Sequence, residues 1–405
     1  MTHRDLRPQL CLLLCLVAVL AWGGTTVADE PRPNKLSEAE IADGWILLFD
    51  GGSLFGWQPT SEANWRVQDG AIHVSEGERG LLLTTSEFAD YELRVDFRAP
   101  QTTNSGVFLH TMSHPTDPAT DCYEVNIAPL ALSPYPTGSV VGRQKRTAGE
   151  ESSEWRTFAI TLVGGRLRIE LDGQQVVDYT DPAPLGRGHI GLQLNEGEVA
   201  FRNIKLRPLG TEPIFNGRDL TGWHVTPDHK SEFSVTDEGY LRVVNGSGQL
   251  ESEGKYDDFA LQLEVIANGK HLNSGIFFRS IPGLFWQGYE SQIQNGYEDG
   301  DRTVPSDFGT GGIYRRQKAR RVVASDFKWF AKTIVATGPH MAVWVNGFQV
   351  SDWTDERPPH ENPREGLRTE PGTLSIQGHD PTTDLMFRNI RIETYPPRRE
   401  PSAGG

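Results

Sequence analysis

The chain has 405 residues, more than one hydrophobic core usually organises, so two domains are expected. With 54 acidic against 39 basic side chains, the formal net charge of −15 opposes attraction to nucleic acid or anionic membrane, and both are set aside as partners. Hydrophobic content of 37%, with 43 Gly, 26 Pro and only 4 Met, suits short strands joined by turn-rich loops and points to an all-β class.

At the start, Arg4 and Arg7 precede an apolar run from Leu10 to Trp22, and small residues end at Thr26-Val27-Ala28 ahead of Asp29-Glu30. This is the pattern of a secretory signal peptide over 1–28. The run falls short of the ~20 apolar residues that span a bilayer, so a secreted or periplasmic protein is expected, without membrane insertion after cleavage. Cys11 and Cys15 lie in this segment, which leaves Cys122 without a partner for an internal disulfide. It reads as a small buried apolar residue. In the lead-in 29–44, Ser37-Glu38-Ala39-Glu40 forms a capping box with Gly44 as a stop, predicting one short helix.

Beyond it the chain repeats itself. Phe49-Asp50-Gly51-Gly52-Ser53-Leu54-Phe55-Gly56-Trp57 is answered by Phe215-Asn216-Gly217-Arg218-Asp219-Leu220-Thr221-Gly222-Trp223. In the same order, Asn104-Ser105-Gly106 is answered by Asn273-Ser274-Gly275 and Tyr123-Glu124 by Tyr289-Glu290. Arg143-Gln144-Lys145 is answered by Arg316-Gln317-Lys318, Trp155 by Trp329, and Phe201-Arg202-Asn203-Ile204 by Phe387-Arg388-Asn389-Ile390. Conserved order at this density implies duplication. The domains are 45–208 and 214–395, with a linker at 209–213 and a Pro- and Arg-rich tail at 396–405 that is expected to be disordered. The second copy carries extra loop residues, notably Arg357 to Pro371.

Within each copy, runs such as Leu93-Arg94-Val95-Asp96-Phe97 and Leu261-Gln262-Leu263-Glu264-Val265 alternate apolar and polar residues as half-buried strands do. Each copy is longer than an immunoglobulin-type domain, which favours a jelly-roll sandwich.

The repeated Phe-Asp/Asn-Gly followed by Gly-Trp, the Asn-Ser-Gly, the Tyr-Glu, the Thr-Gly of Thr137-Gly138 and Thr310-Gly311, and the closing Phe-Arg-Asn-Ile together resemble the 3-keto-disaccharide hydrolase family. The resemblance covers nearly all of the mature chain, twice. It implies two tandem concanavalin A-like jelly rolls, a carbohydrate ligand or substrate, and cleavage of glycosides whose C3 hydroxyl has been oxidised to a ketone.

Strand alternation places Glu290, Gln292 and Gln294 on one face, opposite Tyr289 and Ile293, and places Gln377 with His379 opposite Leu374 and Ile376. If those polar faces share one sheet, Glu290, Gln292, Gln377 and His379 converge on a sugar-sized cleft. Glu290 is the candidate base, His379 the candidate acid or metal ligand, and Arg316 or Lys318 the cationic stabiliser of an enolate. In copy one, Glu124, Asn126, Gln193 and Arg143 are the corresponding sugar-binding candidates, but Asn195 stands where His379 does and cannot exchange a proton near neutrality. Copy two is therefore the expected catalyst. The repeated tryptophans Trp57, Trp223, Trp155 and Trp329 are read as core, and Asn104 and Asn273 as turn residues.

No motif for a transition metal, a phosphate cradle or a cofactor occurs, while a divalent cation on scattered Asp and Asn oxygens stays open. The alternative to an enzyme is a lectin-like carbohydrate-binding protein of the cell envelope. A third reading makes both sandwiches structural spacers.

Overall fold

The structure is a computed structural model that describes residues 1–2, 33–146 and 150–399. The expected signal segment lies, from residue 3 onward, outside the described residues. The predicted helix spans Glu38–Ala42, and its Ser37 and Glu40 close the capping box reciprocally.

Among the described residues, every other regular element is a strand. Each copy pairs a larger sheet with a five-stranded one, and the two five-stranded sheets have the same plan. In copy one the order is Trp57–Pro59, Gly80–Thr84, His189–Leu194, Ser105–Thr111, Tyr123–Ile127. In copy two it is Trp223–Val225, Gly248–Tyr256, Gly372–Gly378, Ser274–Ser280, Tyr289–Ile293. The sequence repeat is thus a repeat of jelly-roll topology, strand for strand.

Alternation decides which residues meet between the sheets. Leu93, Val95 and Phe97 of copy one and Leu261, Leu263 and Val265 of copy two are buried in their sandwich cores. Phe97 stacks on Phe158 with ring centroids 4.5 Å apart. Each such side chain contributes about 1.5–3 kcal/mol by leaving water. The duplicated Trp57 and Trp223 are core residues as expected, at 7% and 6% exposure. Trp155 and Trp329 are not. They are half-buried beneath Arg202 and Arg388, whose guanidinium carbons sit 4.0 and 4.2 Å from the ring centroids. The Arg of each closing Phe-Arg-Asn-Ile therefore makes a cation–π cover for a tryptophan.

The copies pack into one compact unit. Trp344 of copy two is fully buried within the core cluster of copy one and donates its indole N–H to the Leu47 carbonyl at 2.8 Å. Arg187 bridges Glu87 at 2.9 Å and Asp258 at 2.6 Å, and Arg320 reaches Asp50 at 2.7 Å. The tail expected to be disordered continues this packing through Arg399: Arg398 pairs with Glu87, and the Arg399 amide donates to the Leu185 carbonyl. Cys122 is buried and unbonded, as read from sequence. Among the described residues no helix is long and apolar enough to cross a membrane.

Candidate functional site

The outer face of copy two's five-stranded sheet carries a cleft of about 350 Å³. Strand Tyr289–Ile293 turns Tyr289 and Ile293 into the core and Glu290 outward into this cleft. Across the ladder Phe277 pairs with Glu290, Gly275 with Gln292, and Ile276 with Ile376, which sets Gln377 and His379 over the same floor. A Cβ on Gly275 would stand 2.7 Å from Glu290 Oε1. The glycine of the repeated Asn-Ser-Gly is there to make room for the glutamate, and its Asn273 lines the cleft instead of only shaping a turn.

Two loops build the walls. Gln249 and Glu251, on strand Gly248–Tyr256, hold the first one down: Gln249 Oε1 accepts from the Trp286 amide at 2.9 Å, and Glu251 accepts from the Gly283 amide at 3.1 Å. This brings the Trp286 ring parallel to His379, with centroids 5.7 Å apart. The second loop is the insertion Arg357–Pro371. Its Arg364 donates to Glu290 Oε2 at 2.8 Å, and its Asn362 and Glu365 also line the cleft.

Electrostatics follow from these contacts. Burial pushes the Glu290 carboxyl above the usual range, opposed by the Arg364 guanidinium, His379 and Lys332. His379 Nδ1 lies 2.9 Å from Asp380 Oδ2, so that nitrogen donates to the carboxylate and Nε2 is left towards the cleft, 3.4 Å from the Asn273 amide nitrogen. Burial raises Asp380, but donation from Thr382 and His379 outweighs it and the carboxylate stays below its ordinary value. Arg316 lines the cleft and donates to the carbonyls of Arg315 and Arg364. Among the described residues it makes no ion pair, and burial and the like charge of Arg357 hold it below the usual arginine value. The buried side-chain oxygen Oε1 of Gln377 has no partner among the described residues.

Several sequence candidates fall elsewhere. Gln292 points outward but lies beneath the cleft, donating to Asn273 Oδ1 at 3.1 Å and Asp307 Oδ2 at 2.6 Å. Lys318 is exposed and outside the cleft. Asn126 is tied to Ser133 and the Tyr135 carbonyl. Arg143 is structural: it pairs with Asp181 at 2.9 Å under the hydroxyl of Tyr123, and in copy two Arg357 does the same for Asp355 and Tyr289. The insertion therefore takes over the arginine's packing duty, and Arg316, the sequence answer to Arg143, is free to enter the cleft.

Copy one has a cleft of about 400 Å³ over the same strands, lined by Glu124 and Gln193 as expected, with Asn195, Leu81, Phe108 and His114. Lys332 was missed altogether. Its amine crosses the core of copy two and donates to the carbonyls of Ser291 and Gln292 at 2.8 and 2.9 Å, directly behind Glu290. Burial pulls it down to about 7. A lysine at an inward position of Phe330-Ala331-Lys332-Thr333-Ile334 was its only signal. Among the described residues no group of three or more His, Cys, Asp or Glu side chains is arranged to hold a metal ion.

The family model of the 3-keto-alpha-glucoside-1,2-lyase-like domain matches this chain twice, over residues 44–207 and 210–393. The chain belongs to this family. A 3-keto-disaccharide hydrolase of Bacteroides thetaiotaomicron is 29% identical over 79 residues, a match spanning 16% of this chain and 27% of that protein. A candidate glycosyl hydrolase from Parabacteroides distasonis, solved as a crystal structure, is 19% identical with a TM-score of 0.41, covering 44% of this chain and all of its own. A carbohydrate binding module of Bacillus subtilis is 14% identical with a TM-score of 0.32, covering 43% of this chain and 96% of its own. The chain thus carries two tandem domains of the 3-keto-alpha-glucoside-1,2-lyase-like family.

Proposed function

We propose that copy two cleaves 3-keto-glycosides by elimination and hydration, in an exported protein. A C3 ketone acidifies the C2 proton. A base removes that proton, its electron pair passes into the enolate, the C1–O bond breaks and the leaving alcohol takes up a proton. Water then adds at C1 of the enone and C2 is reprotonated, so the net change is hydrolysis.

One observation carries this reading: His379, oriented by Asp380, and Glu290, raised by burial, face one cleft beside Arg316 and Arg364. The Asp380 contact changes the assignment made from sequence. A histidine whose Nδ1 donates to a carboxylate offers Nε2 as a proton acceptor, so His379 is the better base. Glu290, with its elevated carboxyl, takes the acid's part toward the leaving oxygen. Arg316, without a carboxylate of its own, stabilises the enolate oxygen.

The test is mass-spectrometric assay of the purified protein on a 3-keto-disaccharide and on its unoxidised parent. Selective cleavage of the oxidised sugar, lost in His379→Ala, supports the proposal. Saturable glycan binding with no turnover of any oxidised sugar supports the lectin-like alternative. Copy one's Asn195 in place of the histidine favours that alternative for the first domain alone.

A further inference from the structure

Glu124 is 6% exposed, opens into copy one's cleft, and makes no ion pair among the described residues. Its polar neighbour is the Gln193 amide, whose buried carbonyl oxygen has no hydrogen-bond partner. Every charged group near it leaves it uncompensated. Of the lining residues, Arg79 and His114 are exposed, and among the described residues neither pairs with Glu124. Cys122, two residues back on the same chain segment, is a buried thiol held protonated, and Arg143 behind it is spent on Asp181. The corresponding carboxyl of copy two has Arg364 at 2.8 Å. Copy one has no counterpart of the insertion that supplies it.

The buried polar groups left over in this cleft, the Glu124 carboxyl and Gln193 Oε1, are thus acceptors, beside an apolar floor of Leu81 and Phe108 that suits the C–H face of a sugar ring. A hydroxyl would donate one bond and leave the carboxylate's charge unmatched. A primary ammonium donates up to three and supplies the missing charge. We propose that copy one's cleft is a second, non-catalytic site that binds an amino sugar through its ammonium group, held by Glu124 and Gln193. This is independent of the reaction assigned to copy two.

Burial without a cation lifts Glu124 to about 7. An ammonium ligand stabilises the ionised form and lowers that value, so binding below pH 7 must release a proton. The probes are methyl glucosaminide, methyl N-acetylglucosaminide and methyl glucoside, titrated calorimetrically into the full chain at pH 6 in two buffers of different ionisation enthalpy. The glucosaminide is expected to bind at least ~10-fold more tightly than the other two, with proton release that disappears at pH 8.5. Glu124→Gln should abolish the preference, and Glu290→Gln should keep it. Equal affinities, no binding of any probe, absence of proton release, or a preference lost with Glu290→Gln would each overturn the proposal. The buffer comparison needs only the wild-type chain, so it stands even if a variant folds poorly.

Discussion

In copy one, a row across the outer face of the smaller sheet reads Leu83, Gly191, Phe108, Glu124. In copy two, the same row reads Glu251, Ser375, Phe277, Glu290. The backbone ladder is duplicated to the residue; the rows share the Phe and the Glu and differ at Leu83 against Glu251 and at Gly191 against Ser375. Glu251 and its neighbour Gln249 anchor the loop that carries Trp286, whereas Leu83 and Leu81 form an apolar floor with Phe108 and Cys122. The insertion then adds Arg364 against Glu290. One sheet thus supports two clefts of different chemistry, because loops and their anchors, not strands, decide which charges reach the shared glutamate.

Four variants sharpen this contrast. The largest effect is expected of His379→Ala, the step towards copy one's Asn195: turnover of a 3-keto-glycoside should fall by ~10²–10⁴-fold, read as kcat, with the fold intact by circular dichroism. Arg364→Ala comes next. It leaves Glu290 buried without its cation, a loss on the order of 2–3 kcal/mol in denaturant unfolding. The loss should grow as pH rises, since a carboxyl whose folded pKa is raised contributes stability at low pH and loses it on passing through that pKa.

Glu124→Gln tests the same sign in copy one. With the carboxyl lifted to about 7, its ionisation opposes folding at pH 8 and is nearly absent at pH 5. The variant should therefore gain on the order of 2 kcal/mol at pH 8 and little at pH 5. A gain that is equal at both values would show that Glu124 is not the titrating group. The smallest effect belongs to Lys332→Ile with Ser291→Val, which replaces the buried lysine and a strand hydroxyl by apolar side chains, as the matching positions of copy one, Phe158 and Val125, already are. Because burial depresses the lysine to about 7, its charging opposes folding as pH falls, so the pair should stabilise by ~1–2 kcal/mol at pH 6 and less at pH 8.

Alternation and the internal repeat made the sandwiches legible, since Leu93-Arg94-Val95 declares its inward face without reference to anything distant. The same period put Glu290, Gln377 and His379 on one floor and Glu124 with Gln193 on another. It failed where depth matters: Gln292 and Asn126 point the expected way but are pinned beneath the cleft by loop residues. Arg364, Asn362 and Trp286 sit on loops, whose positions depend on long-range contacts that no period encodes. Their one signal was the insertion Arg357–Pro371 itself. Arg143 misled because equivalence in sequence is not equivalence in duty once Arg357 has taken over the pairing with the buried aspartate.

The division of labour between the copies is tested most directly by assaying a 3-keto-disaccharide with wild type, His379→Ala and Glu124→Gln side by side. The account predicts selective cleavage of the oxidised sugar that collapses in His379→Ala and persists in Glu124→Gln. Cleavage that survives His379→Ala but is lost in Glu124→Gln would place the chemistry in copy one and contradict it.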